Sequence, residues 1–323
     1  MNPKRKLSSN YVDRVRLQQK LKNTGQISPL EYSNGLYLLY VRDGGLIMIS
    51  KRMNDLIYAD FKGLSELYPD VQKQAMYLGV DESISCRFAV EFPSLSDEQR
   101  NLIEKKFDGC FVNLRQSLFL IHAHQSAIVS QGKSLLRWRR KRNFCPECGK
   151  ELRAAAGWSH KVCSSCRTPQ YPQMSPVSIA LVEDQSHEQA LLVRQPRHPP
   201  GMFSCLAGFI DMGESVEQSV EREVGEEVGL ECSEVHYLCS QHWPYPDPRL
   251  MIGCVATAKP GEVDIDKEEL EAAKWFSPGQ LHAAIKQAAS KRLPSSDQLW
   301  LPPPGALAHS LITWWLNQYH PRF

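Results

Sequence analysis

Glu223, Glu226 and Glu227 stand at i, i+3 and i+4 in a run, Ser215 to Val228, that has no proline and one interior glycine. Val216, Val220, Val224 and Val228 recur at every fourth position of the same run. The spacing predicts a helix with one buried apolar stripe and the three carboxylates together on another face. Like charges this close destabilise a helix unless a cation neutralises them. Hard oxygen donors grouped in this way suit Mg²⁺ or Mn²⁺, which keep several waters and also take phosphate oxygens. The competing reading is a solvated acidic face, the ordinary meaning of a Glu-rich helix. Within the trio, Glu226 is the candidate general base, because its neighbours' charges would raise its affinity for a proton. Arg222 is placed to form an internal ion pair that orients the glutamates, and Glu214, ahead of the helix start, suits the helix dipole.

A second constellation is made of sulfur. Cys145-Pro-Glu-Cys148 is followed after fourteen residues by Cys163-Ser-Ser-Cys166. Two Cys-x2-Cys knuckles bring four thiolates to the corners of a structural Zn²⁺ site, with no open position left for activating water. Unligated cysteines or a redox pair are the alternative. Arg137, Arg139, Arg140, Lys141 and Arg142 lead into the first knuckle; they read as a solvated helix end or as a contact for RNA. The other six cysteines are scattered, several in apolar surroundings, which fits a reducing compartment.

The elements that must hold these groups follow from length and patterning. At 323 residues, with 42% hydrophobic and 23% charged residues, the chain is expected to form more than one ordinary globular domain. Its formal net charge of +2 argues for neither bulk nucleic-acid affinity nor membrane attraction, and no apolar run reaches the length of a span. Residues 1–28 are basic, with Asp13 as the single acid before Ile27, and read as a tail or a mitochondrial transit segment. Residues 29–139 form an N-terminal domain with strands at Leu36–Tyr40 and Leu46–Ile49 and a helix over Asp97–Phe107, started by Pro93-Ser94-Leu95-Ser96. It serves substrate binding or dimerisation. Residues 140–172 hold the cysteine ribbon and 173–323 the acidic helix. Strands are predicted at Val177–Val182, Gln189–Val193, Val235–Cys239 and Leu250–Ala258, with an amphipathic helix over Ala306–Gln318.

The pattern Gly208-x5-Glu214-x7-Arg222-Glu223-Val224-x-Glu226-Glu227-x-Gly229-Leu230 fits the Nudix box at every specified position. Together with the four-cysteine ribbon, the Tyr171-Pro172-Gln173 turn and Ser240-Gln-His-Trp-Pro-Tyr-Pro246, the chain resembles the NADH pyrophosphatase branch of the Nudix hydrolases. His242 in place of proline resembles the animal mitochondrial NAD(P)H diphosphatase form. The resemblance spans roughly residues 30–320. It implies an α+β chain: a Nudix fold, with a mixed sheet sandwiched by helices, plus the zinc ribbon and an N-terminal α+β domain. The implied reaction is hydrolysis of the pyrophosphate of NADH or NADPH to reduced nicotinamide mononucleotide and AMP or 2',5'-ADP. By the same resemblance the catalytic Mg²⁺ or Mn²⁺ is held by Glu223, Glu227, Glu269 and the Ala207 carbonyl, although Glu268 and Glu271 leave the register at Glu269 open. Tyr171 and Phe209 would clasp the nicotinamide ring. Gln241, His242, Trp243, Pro244, Tyr245, Pro246, Asp247 and Pro248 would line the substrate, and Ala308 would close the pocket. Core packing is the alternative for the aromatic residues. The chain departs from the family at Asp247-Pro248-Arg249, where the motif would end in serine one residue earlier. Pro248 offers neither a hydroxyl nor a backbone N–H.

Two further readings stay open. NAD caps could be removed from RNA by the same bond cleavage, or the chain could be a catalytically silent zinc-ribbon/Nudix binding module. A homodimer is implied by the family, the location is mitochondrial with the cytoplasm as alternative, and no residue distinguishes NADH from NADPH.

Overall fold

The structure, a computed structural model, describes residues 11–24, 27–155, 159–289 and 298–321. The chain forms two compact units, Met1–Gln173 and Met174–Phe323.

The first unit runs α1 (Tyr11–Thr24), α2 (Pro29–Ser33), β1 (Leu36–Val41), β2 (Leu46–Ser50), β3 (Ala59–Asp60), α3 (Phe61–Leu67), α4 (Val71–Gln74), β4 (Met76–Val80), β5 (Cys86–Phe92), α5 (Asp97–Phe107), β6 (Gly109–Asn113), α6 (Leu114–Leu120) and α7 (Ala123–Lys141). Short strands β7 (Leu152–Ala154), β8 (Lys161–Cys163) and β9 (Pro169–Gln170) complete it. The larger sheet has the order β4-β5-β1-β2-β6, with β1 and β5 parallel and the short β3 paired antiparallel with the start of β1. The helix expected at Asp97 begins there because Ser96 and Gln99 form a reciprocal capping box. The segment read as tail or transit segment is helical over Tyr11–Thr24, since Leu21 is buried and Leu17 packs against the same core; its first ten residues lie outside the described residues. The basic run before the ribbon is the end of the 19-residue α7. Two of its arginines are committed within the unit: Arg139 donates to the carbonyls of Gln74 and Lys73 at 2.6 and 3.2 Å, and Arg140 pairs with Glu91. The ribbon strand β8 is tied to this helix end by buried Lys161, whose ammonium donates to the Arg139 carbonyl at 2.7 Å. A cation there also complements the carbonyl end of the helix dipole.

The second unit runs β10 (Ser175–Glu183), β11 (Ala190–Arg194), β12 (Leu206–Phe209), α8 (Val216–Val228), β13 (Cys232–Trp243), β14 (Arg249–Ala258), β15 (Ala272–Phe276), α9 (Pro278–Ala289) and α10 (Leu307–Tyr319). Its mixed sheet has the order β13-β14-β10-β11-β15, with β10 and β14 parallel and β12 antiparallel beside β10. The period of two along a strand decides what each face meets. Ile179 and Leu181 of β10, with Ala190 and Leu192 of β11, pack with Leu311, Ile312 and Trp315 of α10. Ala180, Val182, Leu191 and Val193 point the other way and pack with Val220, Val224 and Val228 of α8. A strand run that is apolar at every position is therefore required, because helices cover both faces. Each fully buried valine of α8 contributes about 1.5–3 kcal/mol relative to exposure.

Candidate active site

Both ends of α8 are fixed by local chemistry. Ser215 accepts from the Gln218 N–H while the Gln218 side chain accepts from the Ser215 N–H. At the other end Gly229 adopts φ 69°, a left-handed cap that a side chain would strain. Between them, Val220, Val224 and Val228 seat the helix on the sheet and thereby turn Glu223 and Glu227 inward. Glu226 does not share that burial: its side chain is 60% exposed. The acidic trio predicted on one face is thus divided into an inward pair and an outward third. Strand β12 lies so close that a Cβ on Gly208 would sit 1.9 Å from the Glu223 carboxyl carbon. Only glycine leaves that carboxylate its space.

Arg222 organises the outer part of the site. Its Nε and Nη2 donate to the two oxygens of Glu214 at 2.6 and 2.9 Å, and its Nη1 donates to Glu223 at 2.9 Å and Glu226 at 2.8 Å. Nη2 also donates to the Phe209 carbonyl at 2.8 Å, which ties β12 to the helix. The Arg222 hydrogen bonds, with a further one from the Asp211 N–H, hold the Glu214 carboxyl down at about 2. The internal ion pair expected for Arg222 therefore spans three carboxylates.

The inner part is short of positive charge. Glu227 is 3% exposed and its Oε2 has no hydrogen-bond partner among the described residues. Burial first, then the charges of Glu223 and Glu269, push its carboxyl up to about 8, against a partial offset from Arg197. Glu223 is also raised, by burial above all, while Arg222 opposes the shift. Glu269 arrives on an irregular segment that is pinned to α8: the Asp264 and Asp266 N–H groups donate to the carbonyls of Val228 and Glu227 at 3.1 and 3.0 Å. Buried Leu270 anchors the same segment in the α8 core. Of the neighbouring acids, Glu271 pairs with Arg194 at 3.1 Å, while Glu268, beside the Asp266 turn, is exposed, as Glu269 is. Ala207 sits in β12 opposite Ile179, one residue before the glycine that accommodates Glu223.

Phe209 is 48% exposed and Tyr171 59% exposed, so neither ring is core. The Arg249 guanidinium lies 4.6 Å from the Phe209 ring centroid, covering one face as a cation–π contact. Tyr171 belongs to the first unit, where His160 stacks on it at 5.2 Å. From Gln241 to Pro248 the chain runs off the end of β13, with Trp243 and Tyr245 at 6.0 Å between ring centroids and Pro244 buried, while Pro246 and Asp247 are exposed. His242 pairs with Leu250 across the β13–β14 ladder. The Gln241 amide donates to the Gly305 carbonyl at 2.7 Å, three residues before Ala308, which is buried in the first turn of α10. The departure at Pro248 has a structural use: its carbonyl accepts from the Ser175 N–H at 3.0 Å, which starts the parallel β10–β14 ladder. That ladder puts Arg249 opposite Ser175, two positions from Val177, the partner of Phe209.

In the ribbon, one Sγ from each of Cys145, Cys148, Cys163 and Cys166 lies within 4.8 Å of the others. Cys148 is 3.4 Å from Cys163 and 3.6 Å from Cys166, and Cys145 is 3.6 Å from Cys166, all too long for a disulfide. Hydrogen bonds from Thr168 lower the Cys166 thiol to about 6, and the Ser165 N–H lowers Cys163. Four thiols this close, two of them with their charge supported by hydrogen bonds, can hold a metal ion.

The model of the NUDIX domain matches residues 173–298. The mouse protein named NAD(P)H pyrophosphatase NUDT13, mitochondrial, is 37% identical over 97% of this chain and 93% of its own length. The chain belongs to the Nudix hydrolase family, in its NADH pyrophosphatase branch. The human NAD(P)H pyrophosphatase NUDT13, mitochondrial, is 40% identical over 76% of the chain and 68% of its own length. The human NAD-capped RNA hydrolase NUDT12 is 36% identical over 62% of the chain and 44% of its own length. Reading the Nudix box by itself misses Arg197 and Arg249, because both reach the site from other segments. A Pro-rich loop carries Arg197 and the start of β14 carries Arg249. No local spacing signals either.

Proposed function

We propose that the chain hydrolyses the pyrophosphate of NADH and NADPH, giving reduced nicotinamide mononucleotide with AMP or 2',5'-ADP. The observation that carries this reading is the buried, unpartnered Glu227 carboxylate beside Glu223, in a chain whose relatives over most of its length are named NAD(P)H pyrophosphatases. A buried carboxylate without a partner is costly unless a cation meets it, and oxygen donors select Mg²⁺ or Mn²⁺. Glu223, Glu227, Glu269 and the Ala207 carbonyl would hold those ions. Bound there, they supply charge neutralisation at the pyrophosphate and acidify a water.

The protein's own residues supply the rest. Arg222 keeps Glu214, Glu223 and Glu226 aligned. Glu226, outermost of the three, is the candidate to accept the proton of the attacking water and release it to solvent. The water oxygen bonds to one phosphorus as the bridging P–O bond breaks, so one mononucleotide gains the hydroxyl and the other leaves with the bridging oxygen. The open face of Phe209 is the candidate to stack the nicotinamide, with Gln241 through Pro248 and Ala308 as the substrate lining. For the ribbon we assign structural Zn²⁺ at Cys145, Cys148, Cys163 and Cys166. A tetrahedron with Zn–S of about 2.3 Å has S···S edges of about 3.8 Å, close to the 3.4–3.6 Å seen. We further assign the 29–139, 140–172 and 173–323 segments as separate domains and the active form as a homodimer. The mitochondrion is the location, as in the names of the mouse and human relatives. No described helix is long and apolar enough to cross a membrane.

Removal of NAD caps from RNA is the second reading, favoured by the similarity to the human NAD-capped RNA hydrolase. Turnover of free NADH compared with an NAD-capped oligonucleotide separates the two. The first reading expects the higher kcat/KM for NADH, and a preference for the capped RNA would replace it.

A further inference from the structure

Phe209 and Arg249 meet across the strand that lies between them. Phe209 pairs with Val177 on one side of β10, and Arg249 pairs with Ser175 on the other. Ser175 and Val177 are two positions apart, so both side chains rise from the same face of the sheet. Trp243, opposite Arg249 in the β13–β14 ladder, shares that face. The Arg249 guanidinium ends 4.6 Å from the centroid of the Phe209 ring, which is half-exposed. Among the described residues no carboxylate forms an ion pair with Arg249, so its charge acts on the ring uncompensated.

A phenylalanine face attracts cations through its quadrupole. By itself such a ring would favour the oxidised nicotinamide, a pyridinium with a full positive charge, over the reduced, uncharged dihydropyridine. The guanidinium reverses that order. It already occupies the attractive potential of the ring, and a second cation on the opposite face meets its repulsion. With offset stacking at about 4.5–7 Å between centroids, guanidinium and pyridinium stand about 9–12 Å apart. Their repulsion weakens binding about twofold if the path is waterlike and roughly fifteenfold at the effective dielectric of a protein surface. An uncharged ring escapes this cost. Arg222, which donates to the Phe209 carbonyl at 2.8 Å, is a second nearby cation, but its charge is matched by Glu214, Glu223 and Glu226.

We propose, resting on the reading in which Phe209 stacks the nicotinamide, that Arg249 sets the preference of this ring site for reduced over oxidised nicotinamide. Arg249 touches no reacting atom. It acts through Phe209, and it acts by its charge rather than its bulk.

Full-length protein without added Mg²⁺ or Mn²⁺ is titrated calorimetrically with NADH, with NAD⁺ and with ADP-ribose, which has no nicotinamide. In parallel, kcat/KM for the three is measured with Mg²⁺. The wild type is expected to hold NADH more tightly than NAD⁺. Arg249→Met should strengthen NAD⁺ binding relative to ADP-ribose by about two- to fifteenfold, a change in relative affinity that misfolding cannot produce. Arg249→Lys keeps the charge and should stay near the wild-type NADH to NAD⁺ ratio, whereas Arg249→Glu should fall below the methionine variant. In a Phe209→Ala background these substitutions should leave the ratio unmoved, because the ring that brings the two charges together is gone. A wild type that holds NAD⁺ as tightly as NADH, a ratio indifferent to Arg249→Met, or a glutamate variant that ranks with lysine would each overturn the proposal. A binding ratio that follows the charge at position 249 without any turnover would support it while overturning the hydrolase reading.

Discussion

At the scale of single residues, Glu227 is a buried carboxylate under strong like-charge pressure. Burial first, then Glu223, Glu269 and Asp266, raise its proton affinity, and Arg197 partly offsets them. Glu227→Gln keeps the shape and removes the charge, so the fold should survive while kcat falls by roughly 10²-fold or more, the scale of lost metal support. Circular dichroism and turnover at saturating Mg²⁺ check this together; near-normal kcat would remove Glu227 from the metal site. Phe209 makes a different test, because one of its faces is already covered by Arg249. If the other face takes the nicotinamide, Phe209→Ala loses about 0.5–1.5 kcal/mol of stacking. Its kcat/KM for NADH should then fall several-fold more than for ADP-ribose, which lacks the ring. Equal losses would make Phe209 a structural residue. Helical periodicity made the glutamates legible but not their division, because spacing alone does not say which flank of the valine stripe meets the sheet. Nor could it reveal Arg249, whose place on Phe209 is set by the pairing of β10 with two other strands.

At the scale of elements, α8 couples the site to stability. The folded chain holds the Glu227 carboxyl up to about 8, whereas the unfolded chain releases that proton near the ordinary carboxylate range. Between those limits the folded state binds more protons, so stability falls as pH rises, by up to about 1.4 kcal/mol per pH unit. Glu223, also raised, acts in the same sense, while depressed Glu214 contributes stability that is lost only in stronger acid. Urea midpoints in EDTA should therefore decline from about pH 5 to pH 8. Mg²⁺ or Mn²⁺ should restore them, because metal binding takes the deprotonated form. A midpoint that rises over this range in EDTA would contradict the assignment. In the ribbon, Cys163→Ser should lower zinc content and melting temperature together, since the binding energy of a structural site is folding energy. A stable, zinc-free and inactive variant would instead place the metal in the chemistry. The cysteine spacing and the α8 caps were legible because each is local. Helix α1 was not: its apolar anchor, Leu21, gains meaning only from the core it meets, and a basic composition masked it.

At the scale of the whole molecule, the second unit reads as a scaffold for one helix. Two strands that are apolar on both faces let α8 and α10 pack on opposite sides of the sheet. With α8 seated, β12 and the Glu269 segment bring the remaining oxygen donors to it. This layered arrangement could be foreseen from the continuous apolar runs of β10 and β11 and from the matched box. Strand order could not, because the parallel pairing of β10 with β14 joins segments about seventy residues apart. On the proposed reading, these carboxylates and the metal ions they would hold cleave the pyrophosphate of a reduced nicotinamide dinucleotide. The most direct test is chromatographic analysis of NADH incubated with the full-length protein and Mg²⁺ or Mn²⁺, alongside Glu227→Gln. Equimolar reduced nicotinamide mononucleotide and AMP, abolished by EDTA and by the variant, is the predicted result. Intact NADH, release of nicotinamide with ADP-ribose, or undiminished products from Glu227→Gln would contradict it.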